Sequence, residues 1–240
     1  LENQLHLHYL QAMGIDVWVP RASFYGQQLL SSETDAAIDH AKPEAGEAVQ
    51  ANWDLLQSEV AQCAKCALCE TRTHTVFGTG NKNADWMIVG EAPGQHEDLQ
   101  GKPFVGNAGS LLTEMLRAIG LHREDVFITN ILKCRPPGNR DPKPSEAESC
   151  NDYLMRQLRL VRPKIILAVG RVAVQTLLKT DEPLAKLRGK KHTFNDTPVV
   201  VVYHPAYLLR SLSEKRKAWM DLQFALRLYN EIVGKSCGDY

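Results

Sequence analysis

Six cysteines are the first residues whose spacing could do chemistry. Cys63, Cys66 and Cys69 stand two residues apart from one another. Cys134 and Cys150 follow with fifteen residues between them, and Cys237 lies near the end. A chain without a readable export signal that clusters its thiols in this way favours metal ligation over disulfides. Cys63 and Cys66 with Cys134 and Cys150 make two chelating pairs far apart in sequence, able to hold zinc or an iron–sulfur cluster. Spacing alone does not separate the metals. Two distant pairs would pin an early segment against a later loop, so a structural role is favoured over a redox one.

A second set of residues sits where apolar runs end. WMIVG (86–90) runs into Glu91-Ala92-Pro93-Gly94, VFITNIL (126–132) contains Asn130, and VVVVYH (199–204) ends in His204. A carboxylate, an amide and an imidazole would thus face one edge. Each has a plainer reading: GEAPG as a tight turn, Asn130 as a cap on its own strand, His204 as a structural ring. It is the convergence that points to a site, because open α/β sheets bind ligands beyond the carboxyl ends of their strands. GEAPGQ lacks the G-x-G-x-x-G dinucleotide fingerprint. The Gly-rich connection GEAPGQHEDLQGKPFVGNAGS carries Phe104, able to wall a flat pocket or simply to fill the loop's own core. KCRPPGNRDPKPS places Lys133, Arg135, Arg140 and Lys143 on a proline-stiffened loop. That loop is a candidate phosphate-binding element or, more plainly, a solvated turn.

The elements that must position these groups are legible. WMIVG, VFITNIL, KIILAVG (164–170) and VVVVYH are nearly all apolar, as strands buried on both faces are. Helical patterns separate them. ANWDLLQSEVAQC leads into the cysteines. In SLLTEMLRAIG, Leu111, Leu112, Met115 and Ile119 share a face. PSEAESCNDYLMRQLRLV is expected to start with Ser145 as N-cap and Glu148 at the capping-box position. RVAVQTLLK and SEKRKAWMDLQFALRLYNEIV complete the set. The alternation predicts an α/β fold with a parallel sheet and helices on both faces. Residues 31–50, small, polar and acidic without a period, read as a flexible linker between residues 1–30 and a domain over 51–240.

Bulk numbers set limits on function. Hydrophobic residues make up 44% and charged residues 23%, ordinary for a globular chain. The 28 Lys and Arg balance 28 Asp and Glu, so any basic surface is local. No run of 18 apolar residues suggests a membrane span. No signal peptide is readable, and with Leu1 in first place the true start is expected to lie elsewhere. The expected location is cytoplasmic; that it is a bacterial cell, near the nucleoid, is implied only by the family resemblances of the motifs below.

Over about residues 52–233 the sequence resembles the family 4, or iron–sulfur, uracil-DNA glycosylases. The resemblance rests on the Cys63-x2-Cys66 pair with Arg72 and VFGTGN, then GEAPGQHED, GKPFVGNAG, TNILKCRPPGNRDP and YHPAYLLR. It implies a three-layer α/β/α sandwich with a central four-stranded parallel sheet. It also implies a [4Fe–4S] cluster on Cys63, Cys66, Cys134 and Cys150, with Cys69 and Cys237 spare. The substrate would be uracil-containing DNA, with the nucleotide flipped out of the stack. Phe104 would stack on the base, beside Ala92, and Asn130 would read its edge. Glu97 would lie near the base and help exclude the thymine methyl. His204 would stabilise charge at uracil O2, with Glu91 and Asn139 lining the catalytic site. The family lacks the catalytic aspartate of better-known glycosylases. A relative with His at the place of Asn139 forms a covalent product, so Asn here implies ordinary hydrolysis. Lys133, Arg135 and Arg140 would meet DNA. So would Leu208, Leu209 and Arg210, the leucines as a wedge in the gap left by the flipped base.

The N-terminal HYLQAMGIDVWVPR is outside that pattern. Leu10, Gly14, Ile15, Trp18 and Arg21 resemble the start of the psi subunit of the DNA polymerase III clamp-loader complex. That resemblance implies docking on the chi subunit, or else the segment packs on its own domain. The second functional reading is therefore a replicase accessory subunit built on a glycosylase scaffold. The intact Glu91, Phe104, Asn130, Asn139 and His204 favour an active enzyme.

Overall fold

The computed structural model describes residues 44–234. The segment proposed to bind a partner, with Leu10, Ile15, Trp18 and Arg21, lies outside the described residues, as does Cys237.

Helix α1 (Glu44–Ala61) leads through a 3-10 turn (Ala67–Glu70) to strand β1 (Thr79–Gly80) and strand β2 (Trp86–Gly90). Two helices, α2 (Gln95–Gln100) and α3 (Asn107–Arg117), precede β3 (Phe127–Asn130). Then come α4 (Pro144–Val161), β4 (Ile165–Val169), α5 (Arg171–Leu178), α6 (Leu184–Leu187), β5 (His192–Phe194) and β6 (Thr197–Val202). Helices α7 (Pro205–Arg210) and α8 (Lys215–Val233) follow. Because α1 begins at Glu44, the last residues of the expected 31–50 linker are helical rather than flexible.

The sheet has six strands in the order β1-β3-β2-β4-β6-β5. The expectation of four strands falls short by two. The inner strands β3, β2, β4 and β6 run parallel, and the short edge strands β1 and β5 pair antiparallel. At two and three residues, the edge strands are too brief to show a period in sequence.

Alternation along the inner strands splits the core into two faces. On β2, Met87 and Val89 join a cluster with Trp53, Leu56 and Val60 of α1, Leu154 and Leu158 of α4, and Val174 and Leu177 of α5. Trp86 and Ile88 join the opposite cluster, with Leu112 and Leu116 of α3, Leu208 of α7, and Leu222 and Ala225 of α8. Helices thus cover both faces, and the chain is forced to leave its polar groups at the strand ends. Among the described residues no helix is long and apolar enough to cross a membrane.

Several local expectations need correction. Helix α4 starts at Pro144 with Lys143 as its cap, two residues earlier than a Ser145 cap would place it. Proline suits the first helical position, where its missing N–H has no partner to lose. Glu146, not Glu148, reaches back to the Lys143 N–H at 2.8 Å. Strand β6 ends at Val202, so His204 is not part of it but caps α7, again with proline following at the first helical position.

Lys133 is buried to 1% exposure and cannot reach a phosphate. Its ammonium donates to Thr129 Oγ1 at 2.7 Å, Asn130 O at 2.8 Å and Gln157 Oε1 at 2.7 Å. Leu208 is also misassigned as a wedge: it is 1% exposed in the core, whereas Leu209 is 42% exposed. On a helix, adjacent residues point about 100° apart, so one of two neighbouring leucines packs inward and the other faces solvent. Leu208→Ala is therefore expected to destabilise the fold by about 2–5 kcal/mol, and Leu209→Ala by less than about 0.5 kcal/mol. Urea unfolding of both variants checks this, and equal losses would contradict the assignment.

Candidate active site

The four parallel strands end on one side of the sheet, and a cavity of about 710 Å³ opens there. Glu91 follows β2, Asn130 ends β3, Gly170 and Arg171 follow β4, and Tyr203 and His204 follow β6; all line it. The structure thus brings Glu91, Ala92, Glu97, Phe104, Asn130, Asn139, Arg140, His204 and Arg210 to one cavity. Of the remaining expected DNA contacts, Leu209 is exposed on α7 beyond this lining, and Arg135 touches it indirectly by donating from Nε to Asn139 Oδ1 at 2.7 Å.

The floor is set by Gly90. A Cβ there would stand 2.4 Å from Asn130 Oδ1 and 2.6 Å from the Phe104 ring, so only glycine lets all three meet. Phe104 itself has a φ of 53°. Such a left-handed backbone at a bulky residue costs roughly 1–3 kcal/mol and persists only where its surroundings hold it. Glu97 supplies that hold. Its Oε1 accepts from Val105 N–H at 2.9 Å and Gly106 N–H at 3.1 Å, fixing the chain just after Phe104. The Phe104 and His204 rings stand 5.8 Å apart at 30°.

Asn130 is 2% exposed, and its Oδ1 has no donor among the described residues. A buried amide oxygen left bare costs about 1–3 kcal/mol, a cost that a donor entering the cavity would remove. His204 Nδ1 accepts from Ala206 N–H at 3.2 Å. That bond puts the proton of the neutral ring on Nε2, which becomes a donor. Burial pushes His204 down to about 4, helped by the positive charge of Arg210 and opposed by Glu97. The ring is therefore neutral at physiological pH. Burial acts oppositely on the carboxyl of Glu91, raising it to about 7, with Asp141 adding to the rise and Arg171 opposing it. One cavity thus holds a neutral donor and a carboxylate poised near neutrality.

Arg140 is less free than its loop suggests: its guanidinium grips Glu146 at 2.6 and 2.9 Å. Arg171, by contrast, escaped the sequence reading. It lines the cavity and pairs with Asp141 at 2.6 Å. The signal is the same as at the other three strand tips: KIILAVG, the fourth apolar run, leads directly into Arg171. Gly170 before it has a φ of +92°, and a Cβ there would lie 3.0 Å from His204 Cβ.

The cysteines gather on the other face of the sheet from α3. Cys134 and Cys150 are buried in the core cluster, with Cys63 and Cys66 packed against it. Cys63, Cys66, Cys134 and Cys150 are free thiols. Burial pushes the Cys134 thiol up to about 11, opposed by Arg72, while Cys150 and Cys66 push it further. Arg72 donates to Cys134 Sγ at 3.1 Å. Among the described residues no three His, Cys, Asp or Glu side chains form a cage for a single ion.

Comparison with known proteins gives a consistent result. The family model described as the uracil DNA glycosylase superfamily matches residues 77–223. A type-4 uracil-DNA glycosylase of Archaeoglobus fulgidus is 49% identical over 164 residues, covering 65% of this chain and 82% of the relative. One from Saccharolobus solfataricus is 48% identical, covering 66% of this chain and 77% of the relative. One from Thermotoga maritima is 40% identical, covering 68% of this chain and 85% of the relative.

The tautomer and charge of His204 are open to a direct check. Nitrogen–proton correlation NMR is expected to find the ring neutral and protonated on Nε2 from pH 8 down to pH 5. The second proton should bind only as pH falls through about 4. An imidazolium at pH 6 would contradict the burial argument.

Proposed function

The chain belongs to the uracil DNA glycosylase superfamily as one of its type-4 members, and from that premise we infer that it cleaves the N-glycosidic bond of deoxyuridine in DNA. The observation that supports this best is the unpartnered amide of Asn130 facing a cavity shared with a neutral Nε2–H imidazole.

A base inside the duplex is out of reach, so the nucleotide is extruded into the cavity. Phe104 stacks on its face and Ala92 closes the wall beside it. Asn130 donates from Nδ2 to uracil O4 and accepts N3–H at the bare Oδ1. Cytosine presents an amino group and an unprotonated N3 at those places, which opposes both bonds and leaves the buried amide unpaired. Glu97 acts chiefly through Phe104: by fixing Val105 and Gly106 it keeps the aromatic wall close, leaving little room for a thymine methyl.

As the glycosidic bond stretches, positive charge builds on the sugar and negative charge on the departing base. His204 donates from Nε2 to uracil O2 and stabilises that charge without first having to lose a proton. Glu91, ionised, faces the cationic sugar and orients the water that adds at C1′. Free uracil and an abasic site result. Asn139, held by Arg135, lines the same place, and an amide there cannot trap the sugar covalently. Arg210 and Arg135 offer cations to the backbone phosphates, and Leu209 replaces Leu208 as the apolar wedge.

The free thiols of Cys63, Cys66, Cys134 and Cys150, gathered in one region with Arg72 donating to sulfur, suit a [4Fe–4S] cluster. Zinc, which takes four sulfurs about 2.3 Å from one centre, is the alternative occupant. The cluster would supply a cross-link between the segment after α1, the loop after β3 and α4. The reading of residues 1–30 as a chi-binding tether of a clamp-loader complex rests on sequence resemblance alone and carries no part of the activity. Residues 51–240 are the proposed catalytic domain.

Purified protein is expected to release free uracil from a single-stranded uracil oligonucleotide, with kcat/KM rising as pH increases through about 7. The sign follows from Glu91, which is protonated and ineffective below that value. Glu91→Gln should lower kcat roughly 100-fold and erase the pH limb. No uracil release by the wild-type protein would overturn the assignment. Cys134→Ser is expected to lose bound iron and the broad visible absorbance of the cluster; full retention of both would exclude Cys134 as a ligand.

A further inference from the structure

Two tyrosines at the mouth of the cavity have no role in the chemistry above. Tyr203 and Tyr207 both line it, with ring centroids 5.1 Å apart at 48°. Tyr207 is 37% exposed, a large aromatic side chain partly turned to solvent beside the cavity. Behind the pair runs a chain of contacts that begins in the core. Asp221 of α8 is buried to 2% exposure and accepts from Arg188 Nε at 2.6 Å. Arg188 also donates to Lys217 O at 2.6 Å, and its guanidinium lies 4.3 Å over the Tyr203 ring. A guanidinium held by a buried carboxylate and a carbonyl cannot wander, so the ring under it is fixed as well.

Tyr207 is further locked to the catalytic imidazole. It stands three residues after the capping His204 in α7, and its N–H donates to His204 O at 2.9 Å. Leu208, buried on the far side of the same turn, anchors the helix. The distance between the group proposed to meet uracil O2 and the exposed tyrosine face is therefore set by a single helical turn. Arg210, one turn further, lines the same cavity and supplies a cation for the connecting phosphate.

Resting on the glycosylase reading, we propose that Tyr207, backed by Tyr203 and positioned by Arg188 and Asp221, is a stacking subsite for the nucleobase next to the extruded uracil. Every base has a π-face, so such a platform is sequence-tolerant. It holds the strand through base contact where Arg210 holds it through charge. When uracil leaves the stack, its neighbour loses a stacking partner, and a fixed aromatic face replaces that partner. Single strands gain most, because their flanking bases have no opposite strand to hold them. Leu209, on the same helix but aliphatic, offers a wedge and not a face.

The test crosses two deletions. Single-stranded oligonucleotides carry 2′-fluoro-deoxyuridine, which resists cleavage because the fluorine disfavours the cationic sugar. The base on the 5′ side, the 3′ side or both is either present or replaced by an abasic spacer. Dissociation constants are read by fluorescence anisotropy for wild type, Tyr207→Ala, Tyr207→Phe and Arg188→Gln. For wild type, removing the flanking base on one side should weaken binding about tenfold. Tyr207→Ala should bind the intact strand about tenfold more weakly and be indifferent to that same removal. Tyr207→Phe should keep most of the affinity. Arg188→Gln should weaken only strands that retain the flanking base. Equal weakening of intact and base-deleted strands by Tyr207→Ala would reduce the residue to packing, and no weakening at all would also overturn the subsite. Uracil release from the matching unmodified strands is measured alongside. Its absence would remove the hydrolase reading while the binding cycle still decides the subsite.

Discussion

The missing side chain at Gly90 is the constraint on which the cavity depends. Strands β2 and β3 are in register there, Gly90 beside Asn130, and Phe104 presses down from the loop that follows. An added methyl would meet Asn130 Oδ1 at 2.4 Å and the aromatic ring at 2.6 Å. In a close-packed interior neither can retreat cheaply, since Asn130 is anchored in the sheet and Phe104 is already held in a strained backbone. The Phe104 ring and the Asn130 amide are brought together by an absence of volume. Glu97, tied to the two amides after Phe104, keeps the loop from relaxing the strain away.

The same enclosure sorts the ionisable groups. Low polarity disfavours charge of either sign, so it drives Glu91 up to about 7 and His204 down to about 4. The imidazole is thereby kept neutral, while Glu91 ionises only as pH rises through about 7. No separate device is required for each. What differs is the local surroundings: the N–H of Ala206 fixes the imidazole tautomer, and the positive charge of Arg171 restrains the rise at Glu91. Arg171, at the start of α5, pairs with Asp141 of the loop after β3, so the pair ties that loop to the β4 edge of the cavity.

Beneath the floor, Lys133 joins the cavity to the cysteine-bearing side of the sheet. Its amine holds the carbonyl of Asn130, the hydroxyl of Thr129 and the amide of Gln157, while its neighbour Cys134 packs into the core under the same helix, α4. Gln157 in turn donates to Phe77 O at 2.8 Å, drawing in the segment before β1. Burial pulls Lys133 down to about 7, and what charge it keeps is tolerated because each proton has an acceptor. Asn130 and the thiol region are thus two ends of one short connection.

The amino-acid order by itself determined the four inner strands, because strands buried on both faces must be continuously apolar. It also determined which polar residues lie at their ends. Glu91, Asn130 and His204 were legible for that reason, and the paired thiols for their spacing. Only the tertiary structure decided which way individual side chains face. Lys133 reads as a surface cation among prolines and arginines, yet the chain turns after Asn130 and folds it under the sheet. Leu208 and Leu209 are indistinguishable in composition, and α7 separates them into core and surface. The edge strands were too short to leave a pattern, and the Asp221–Arg188–Tyr203–Tyr207 chain joins residues from separate elements. Periodicity reports burial within one element. Contacts between elements depend on how those elements pack, which no local pattern encodes.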